Sequence, residues 1–266
     1  MAKELTLPSP KSKVALVAIA HADDLLLFCG ATVLNLISNN WQVHVLRVTD
    51  DCWDSWGIDS AESKERNQKE FNNAMKKIGV KSIIELGYAT DVLGDNSEVE
   101  LRGHFIDAIR NLKPYLIISF DPDSSLYEDN EDHRLVARAM AEAGWTSGFD
   151  KHPGASGRVE APHLPIEKWY FGRKVAEVTD YQLIEPFREK LISAIGEHKT
   201  MLQNMARQLS LKAIFLGYSL DRLLQLVDDS PEEFARMLIA DRKQEELRVI
   251  DSENIFRIID KFGDAL

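Results

Sequence analysis

The chain has 266 residues, 44% of them hydrophobic, which is enough to bury a sizeable core in one large domain or two small ones. A formal net charge of -11, with no long basic block, argues against nucleic acid or an anionic membrane as the main partner and favours a small-molecule ligand. No apolar run is long enough to cross a bilayer, "MAKELTLPSPKSK" lacks the apolar segment of a secretory signal, and Cys29 and Cys52 have no zinc-knuckle spacing. A cytoplasmic protein with reduced thiols and no membrane insertion is expected; assembly into a homo-oligomer is left open.

In chain order, short β-branched runs alternate with amphipathic stretches. "KVALVAIA" is followed by "ATVLNLISN", "WQVHVLRV", "AESKERNQKEFNNAMKKIG", "SIIELG", "LRGHFIDAIRNL" and "YLIISF". Such alternation predicts βαβ units and an α/β fold with a mostly parallel, doubly wound sheet, helices covering both faces. Phe71, Ala74, Met75 and Ile78 have the spacing of one buried helical stripe, for which core packing is the plain reading. After residue 145, "TSGFDKHPGASGRVEAPHLP" reads as a long loop, and "EKWYFGRKV" as a further strand. Beyond Gln182 the segments "IEPFREKLISAIGEHKTMLQNMARQL" and "SPEEFARMLIADRKQEELRVI" read as helices. A single domain is expected, with residues 1–215 as its main body and residues 216–266 as a helical C-terminal extension.

Polar side chains break the apolar pattern at two strand ends. "AHADD" closes the first long strand, and "SFDPDSSLYEDNEDHRLVARAM" follows "YLIISF" and opens a helix near Asp132 or His133. Open parallel sheets bind ligands beyond the carboxyl ends of their strands, where strand order reverses, so the two segments are expected to converge. His21, Asp24 and His133 would supply the three nitrogen and oxygen donors of a catalytic zinc site, leaving Asp23 free as a base. Cys29 is the start-of-helix packing residue rather than a fourth ligand. Trp53 and Trp56, in the loop "DDCWDSWGID", either stack on a sugar ring or aromatic aglycone or plug the loop onto the domain.

Several motifs together resemble one family. "AHADD" with "CGATV", "ERNQKEFNNAMKKIG" with "IIELGYATD", "LKPYLIISFDP" with "EDHRLVARAMAEA", and the late "KLISAIGEHKTML" are similar to the PIG-L/LmbE-like zinc-dependent N-acetylglucosaminyl deacetylases, over roughly residues 14 to 205. The resemblance implies a Rossmann-like fold, a zinc ion and removal of an acetyl group from an acetylated amino sugar or sugar conjugate. His21, Asp24 and His133 match the zinc ligands, Asp23 the general base and Asp91 a carboxylate that binds hydroxyls.

Four positions depart from the family pattern. Ala22 and Leu25 stand where the first motif usually has proline and glutamate. Asn130 replaces a histidine that stabilises the oxyanion or protonates the leaving amine; asparagine can donate a hydrogen bond but supplies no proton. His163 or His152 in the long loop is then the candidate acid, His163 being favoured because it precedes a strand; otherwise Asp23 shuttles the proton alone. Asn67 occupies the place of a sugar-binding arginine, with Arg66 one residue out of phase. Two rivals remain, namely metal-assisted hydrolysis of another acyl amide and a metal-binding or nucleotide-binding module without catalysis. Against the nucleotide reading, the first turn lacks G-x-G-x-x-G and carries carboxylates where phosphates would sit.

Overall fold

A computed structural model describes residues 2–158 and 160–251. The elements run β1 (Lys3–Glu4), β2 (Val14–Ile19), α1 (Asp24–Phe28), α2 (Gly30–Ser38), β3 (Gln42–Thr49), α3 (Ser60–Ile78) and β4 (Ser82–Tyr88). They continue with α4 (Glu98–Leu112), β5 (Leu116–Phe120), α5 (Glu131–Thr146), β6 (Glu167–Phe171), β7 (Asp180–Leu183), α6 (Arg188–Ile195), α7 (Lys199–Phe215), α8 (Asp221–Asp229), α9 (Pro231–Leu238) and β8 (Gln244–Ile250). The strands form one sheet in the order β1-β7-β8-β6-β5-β2-β3-β4. Every pairing is parallel except those of β8, which runs antiparallel to both β6 and β7.

β2 and β5 lie side by side at the centre, and the chain leaves them in opposite directions, through β3 and β4 on one side and through β6 on the other. That is the strand-order reversal expected from sequence. Both strands are buried along nearly their whole length, as strands covered on two faces must be, and their side chains form a near-continuous apolar run. α4 packs with α5, while α1, α2, α3, α6, α7 and α9 form a second packed group. Among the described residues no helix is long and apolar enough to cross a membrane.

Local chemistry explains the element boundaries near the site. α3 starts where the Asp59 carboxylate accepts from the Glu62 N–H and stops at Gly79, whose φ of 97° lets the chain turn left-handed. Its buried stripe is Phe71, Ala74, Met75 and Ile78, with Ser63 and Asn67 above it. The predicted helix over "IEPFREKLISAIGEHKTMLQNMARQL" is broken into α6 and α7 around Gly196–His198. α7 is held against α3 by Glu70, whose carboxylate accepts from the Thr200 N–H and the Thr200 hydroxyl, both at 2.9 Å. The segment "SPEEFARMLIADRKQEELRVI" is helical only through Leu238; Gln244–Ile250 forms strand β8 instead. The reason lies at Glu245, whose buried carboxylate accepts from the N–H groups of Ala31 and Thr32 at 2.7 and 2.8 Å and caps the start of α2.

His198, just ahead of α7, is buried, and neither ring nitrogen has a hydrogen-bond partner among the described residues. Burial, with Arg47 nearby, pushes its pKa down to about 3, so it is neutral in the folded chain. An unfolded histidine takes up a proton as pH falls through about 6.5, so the folded state loses stability from there downwards. His198→Leu should therefore gain about 2–3 kcal/mol relative to the native chain on going from about pH 7 to about pH 4.5. Urea unfolding of both proteins at the two pH values measures this; parallel losses would show that His198 is protonated in the fold.

Candidate active site

The two segments that follow β2 and β5 meet at the sheet's carboxyl edge. His21 Nδ1 and His133 Nε2 face each other at 3.1 Å; the Asp24 carboxylate lies 3.1 Å from His133 Nε2 and 3.6 Å from His21 Nδ1. All three residues are buried. An ion bonded tetrahedrally at about 2.0–2.1 Å spaces its ligands about 3.3 Å apart, so this triangle has the size of one face of a zinc tetrahedron. A second group of donors, His21, Asp91 and Asp132, shares His21 with the first.

The remaining ring nitrogens are held by carboxylates. Asp132 lies 3.3 Å from His21 Nε2 and Glu128 lies 3.1 Å from His133 Nδ1. Asp132 draws the His21 ring proton to Nε2 and turns the Nδ1 lone pair towards the shared space, whereas Glu128 makes a charge contact with His133 without a hydrogen bond among the described residues. The His133 ring is stacked on Phe120, centroids 4.1 Å apart, and so has little freedom to rotate. Asp24 is fixed in turn, its Oδ2 accepting from the N–H groups of Ala20 and His21 at 3.1 and 2.7 Å.

Burial disfavours a charged His133, but Asp24 and Glu128 outweigh it and raise its pKa to about 9. His21 is raised likewise, against burial, by Asp132 and Asp24. Burial works in the other direction on Asp24, yet the two histidines hold it well below the ordinary carboxylate range. Asp23 is the contrasting member: burial and the charge of Asp24 push its carboxyl up to about 8, although His21 opposes this. Two adjacent carboxylates thus have pKa values driven apart, the pattern of a ligand beside a proton carrier.

These residues open into a cavity of about 440 Å³ that also exposes Asp54, Asp91, Asn130, Arg173 and, from α7, Met201, Asn204, Met205 and Gln208. Asn130 caps α5, its Oδ1 accepting from the His133 N–H at 3.2 Å, which leaves the Nδ2 donor for the cavity. Asp91 takes a left-handed φ of 61°, and its N–H donates to Asp132 at 2.7 Å, so the carboxylate that orients His21 also fixes the turn that presents Asp91.

Other expected site residues lie elsewhere. Asn67 is fully buried; its Nδ2 donates to the carbonyls of Asp51 and Asp54 at 2.9 and 3.1 Å, so it shapes the loop after β3 instead of reaching the cavity. Trp53 and Trp56 are about half exposed, and Trp56 lines a separate cavity of about 160 Å³ against Gln203, Arg207 and Leu224. The structure does not bring His163 to the triangle of His21, Asp24 and His133. Its Nε2 lies 2.8 Å from the Pro114 carbonyl, just before β5 begins, whereas His133 belongs to the segment after β5 ends. The long loop returns from the end of α5 to the start of β6 and therefore runs along the opposite edge of the sheet, taking His152 with it. Accordingly His163→Ala should change turnover less than twofold, whereas Asn130→Ala, losing one oxyanion donor, should cost about 100-fold. Steady-state rates of the two variants compare them directly; a large loss in His163→Ala would mean the loop folds over the cavity in solution.

Sequence reasoning missed Asp132, Glu128, Asp54, Arg173 and the α7 face. It also missed the consequence of Ala22. The Ala22 N–H donates to the buried carboxylate of Asp51 at 3.2 Å, and Arg47 clamps that carboxylate at 2.8 Å. A proline at position 22 has no N–H for this bond.

With the geometry established, the chain shows similarity to several known proteins. The family model PIG-L, described as GlcNAc-PI de-N-acetylase, matches residues 16–144. The chain is 27% identical over 170 residues to 1D-myo-inositol 2-acetamido-2-deoxy-alpha-D-glucopyranoside deacetylase of Mycobacterium leprae, covering 53% of this chain and 55% of that protein. It thus spans about half the length of the curated relative it matches. The structure of N,N'-diacetylchitobiose deacetylase from Pyrococcus horikoshii superposes with a TM-score of 0.70 at 19% identity, over 96% of this chain and 90% of that one. GalB, a 4-carboxy-2-hydroxymuconate hydratase from Pseudomonas putida, superposes with a TM-score of 0.57 at 17% identity, over 90% and 96% of the two chains. The same fold carries both chemistries, so fold alone does not select one of them. The similarity to the PIG-L family model thus lies within residues 16–144, a little under half of the chain.

Proposed function

We propose that the protein is a zinc-dependent hydrolase that removes the N-acetyl group from an amino sugar or a sugar conjugate. The observation that carries this reading is the convergence of His21, Asp24 and His133 on one point, with Asp23 beside them on the wall of the same open cavity. When bound there, zinc would acidify a water and polarise the amide carbonyl.

The chain's own residues account for the rest. Asp23 accepts a proton from the attacking water as the new C–O bond forms at the amide carbon. The Asn130 amide donates a hydrogen bond to the carbonyl oxygen as negative charge gathers on it. When the C–N bond breaks, Asp23 returns the proton to the amine, and acetate and free amine leave. Burial and the neighbouring Asp24 charge raise the Asp23 carboxyl above its ordinary range, which makes it a stronger base towards the attacking water. Arg173 faces the cavity but cannot act as the acid, since a guanidinium does not give up its proton; paired with Glu128 at 3.1 Å, it supports the carboxylate behind His133. Asp54 and Asp91 offer acceptors for sugar hydroxyls.

The test is acetate release from a panel of N-acetylated amino sugars and simple acetylated amines, with the metal removed by a chelator and zinc restored. Zinc-restored activity confined to the sugar amides is the expected result. Hydrolysis of other acyl amides instead would transfer the reading to that chemistry, and tight zinc binding with no hydrolysis of any amide would leave a metal-binding module.

A further inference from the structure

A second, smaller cavity of about 80 Å³ lies between the ends of β5 and β6 and the start of α5. It shares His133 and Arg173 with the larger one, so the two spaces have a common wall. Its floor is apolar. Phe120 and Phe171 are register partners on β5 and β6 with ring centroids 4.7 Å apart, and Ala137 joins them from α5. Its rim is cationic. Arg134 and Arg138 stand four residues apart on one face of α5, and Arg173 and Lys174 line the cavity from the segment after β6.

In a chain of net charge -11, four cations around so small a space call for a reason. The carboxylates of the wall do not supply it. Asp121 is engaged elsewhere, accepting from the N–H groups of Asp123 and Ala176 at 3.0 and 2.7 Å and pairing with Arg248. Glu128 is shared between His133 and Arg173. Arg134 and Arg138 pair with Glu131 and Glu98, and Arg173 also with Asp129, all three of them exposed carboxylates. Surface pairs of this kind contribute little, and each guanidinium keeps further N–H donors for a ligand. The Lys174 ammonium has no carboxylate partner among the described residues and rests over the Tyr127 ring, 4.1 Å from its centroid.

We propose that this cavity binds a small carboxylate, its oxygens held by the cationic rim and its short alkyl group set on Phe120 and Phe171, and that the carboxylate is acetate. Space selects the class. A water molecule's share of the liquid is about 30 Å³, so the cavity takes a group of a few non-hydrogen atoms and no sugar ring. An inorganic oxyanion of the same size would press polar oxygens against the two phenyl rings. The binding of a carboxylate stands on the cavity alone; its identification as acetate rests on the deacetylase reading, under which acetate forms at each turnover on the other side of His133. Arg173 borders both spaces, and so offers a carboxylate the same guanidinium on leaving one and on entering the other. Acetate held there is clear of His21, Asp23 and Asp24, which line the larger cavity and not the smaller. The reverse reaction is thereby suppressed, and the larger cavity is open to the next amide.

The experiment titrates isotope-labelled acetate into the full chain after zinc has been chelated, and NMR line broadening reports binding. With no metal left to coordinate the carboxylate, the signal belongs to the smaller cavity. Acetate should bind saturably, and Arg138→Gln with Lys174→Gln should weaken it at least about tenfold, because two charge-assisted contacts are lost. Arg138→Lys with Lys174→Arg keeps both charges and should retain most of the binding. Both positions are exposed, so none of these substitutions threatens the core. In the zinc-loaded chain the glutamine pair should also lower the acetate bound, which keeps the test sound if chelation disturbs the fold. No saturable binding in either form, a glutamine variant that binds as the native chain does, or displacement of acetate by phosphate at lower concentration overturns the inference. Amide hydrolysis by the zinc-loaded protein separates the two readings. Acetate binding without hydrolysis leaves the carboxylate site standing and removes the deacetylase, whereas hydrolysis without such binding does the reverse.

Discussion

Asp23→Asn is expected to keep the fold and the metal while lowering turnover about 10³- to 10⁴-fold, the upper part of the range for general acid–base catalysis. Asparagine matches aspartate in shape and disturbs no hydrogen bond of the His21–Asp24–His133 triangle, because Asp24, not Asp23, accepts from the Ala20 and His21 amides. What it lacks is an oxygen that can take a proton and give it back. The loss should be large because no neighbour can take over. Asp24 is committed to His21 and His133, Asn130 has no proton to give, and His163 lies at the other edge of the sheet. Zinc content and turnover measured on the same preparation decide the matter. A fall of less than tenfold would remove Asp23 from proton transfer.

His133→Ala should be still more damaging, through the metal. The substitution takes away one corner of the triangle and leaves the Glu128 carboxylate without the ring it orients. Losing a supporting residue behind a metal ligand costs roughly 10–100-fold in affinity, and losing the ligand itself should exceed that. Elemental analysis should find zinc reduced from about one per chain to a trace, with acetate release lost in parallel. His133→Gln, which keeps a polar side chain of similar reach, guards against a merely unfolded alanine variant. Full zinc occupancy in a folded His133 variant would mean that the metal sits elsewhere.

The position of this site was legible from sequence because two continuous apolar strands, β2 and β5, each run directly into metal-competent side chains, and parallel topology brings such strand ends together. The supporting carboxylates were not. In "YEDNEDH" four acids lie within six residues of His133, and nothing in their order tells that Glu128 and Asp132 turn inward while Asp129 and Glu131 face solvent. The α7 wall was hidden for a different reason, since it reaches the cavity from some 180 residues downstream of His21 through tertiary packing alone. The misplacement of His163 was avoidable: a loop that leaves a helix and enters a parallel strand returns to the amino-terminal edge of the sheet. Strand β8 escaped because its inward-facing members are Glu245 and Leu247, and a buried glutamate masks the alternation by which strands are recognised.

The place of β8 has a consequence for the order in which the molecule can be made. Residues 244–250 are synthesised after all seven other strands, yet they lie between β6 and β7 and connect β7 and β1 to the rest of the sheet. Until they emerge, β6 has an open edge and the β1–β7 pair has nothing to join. A growing chain can therefore assemble β2 to β6 early, but must hold that incomplete sheet with an unpaired border while roughly 70 more residues are translated. The short, charged character of "QEELRVI" suits this late arrival, because a segment with two acids and an arginine among seven residues remains in water until Glu245 finds the first turn of α2. Closure of the sheet and capping of that helix then occur as one event, at the back of the segment that carries Asp23 and Asp24.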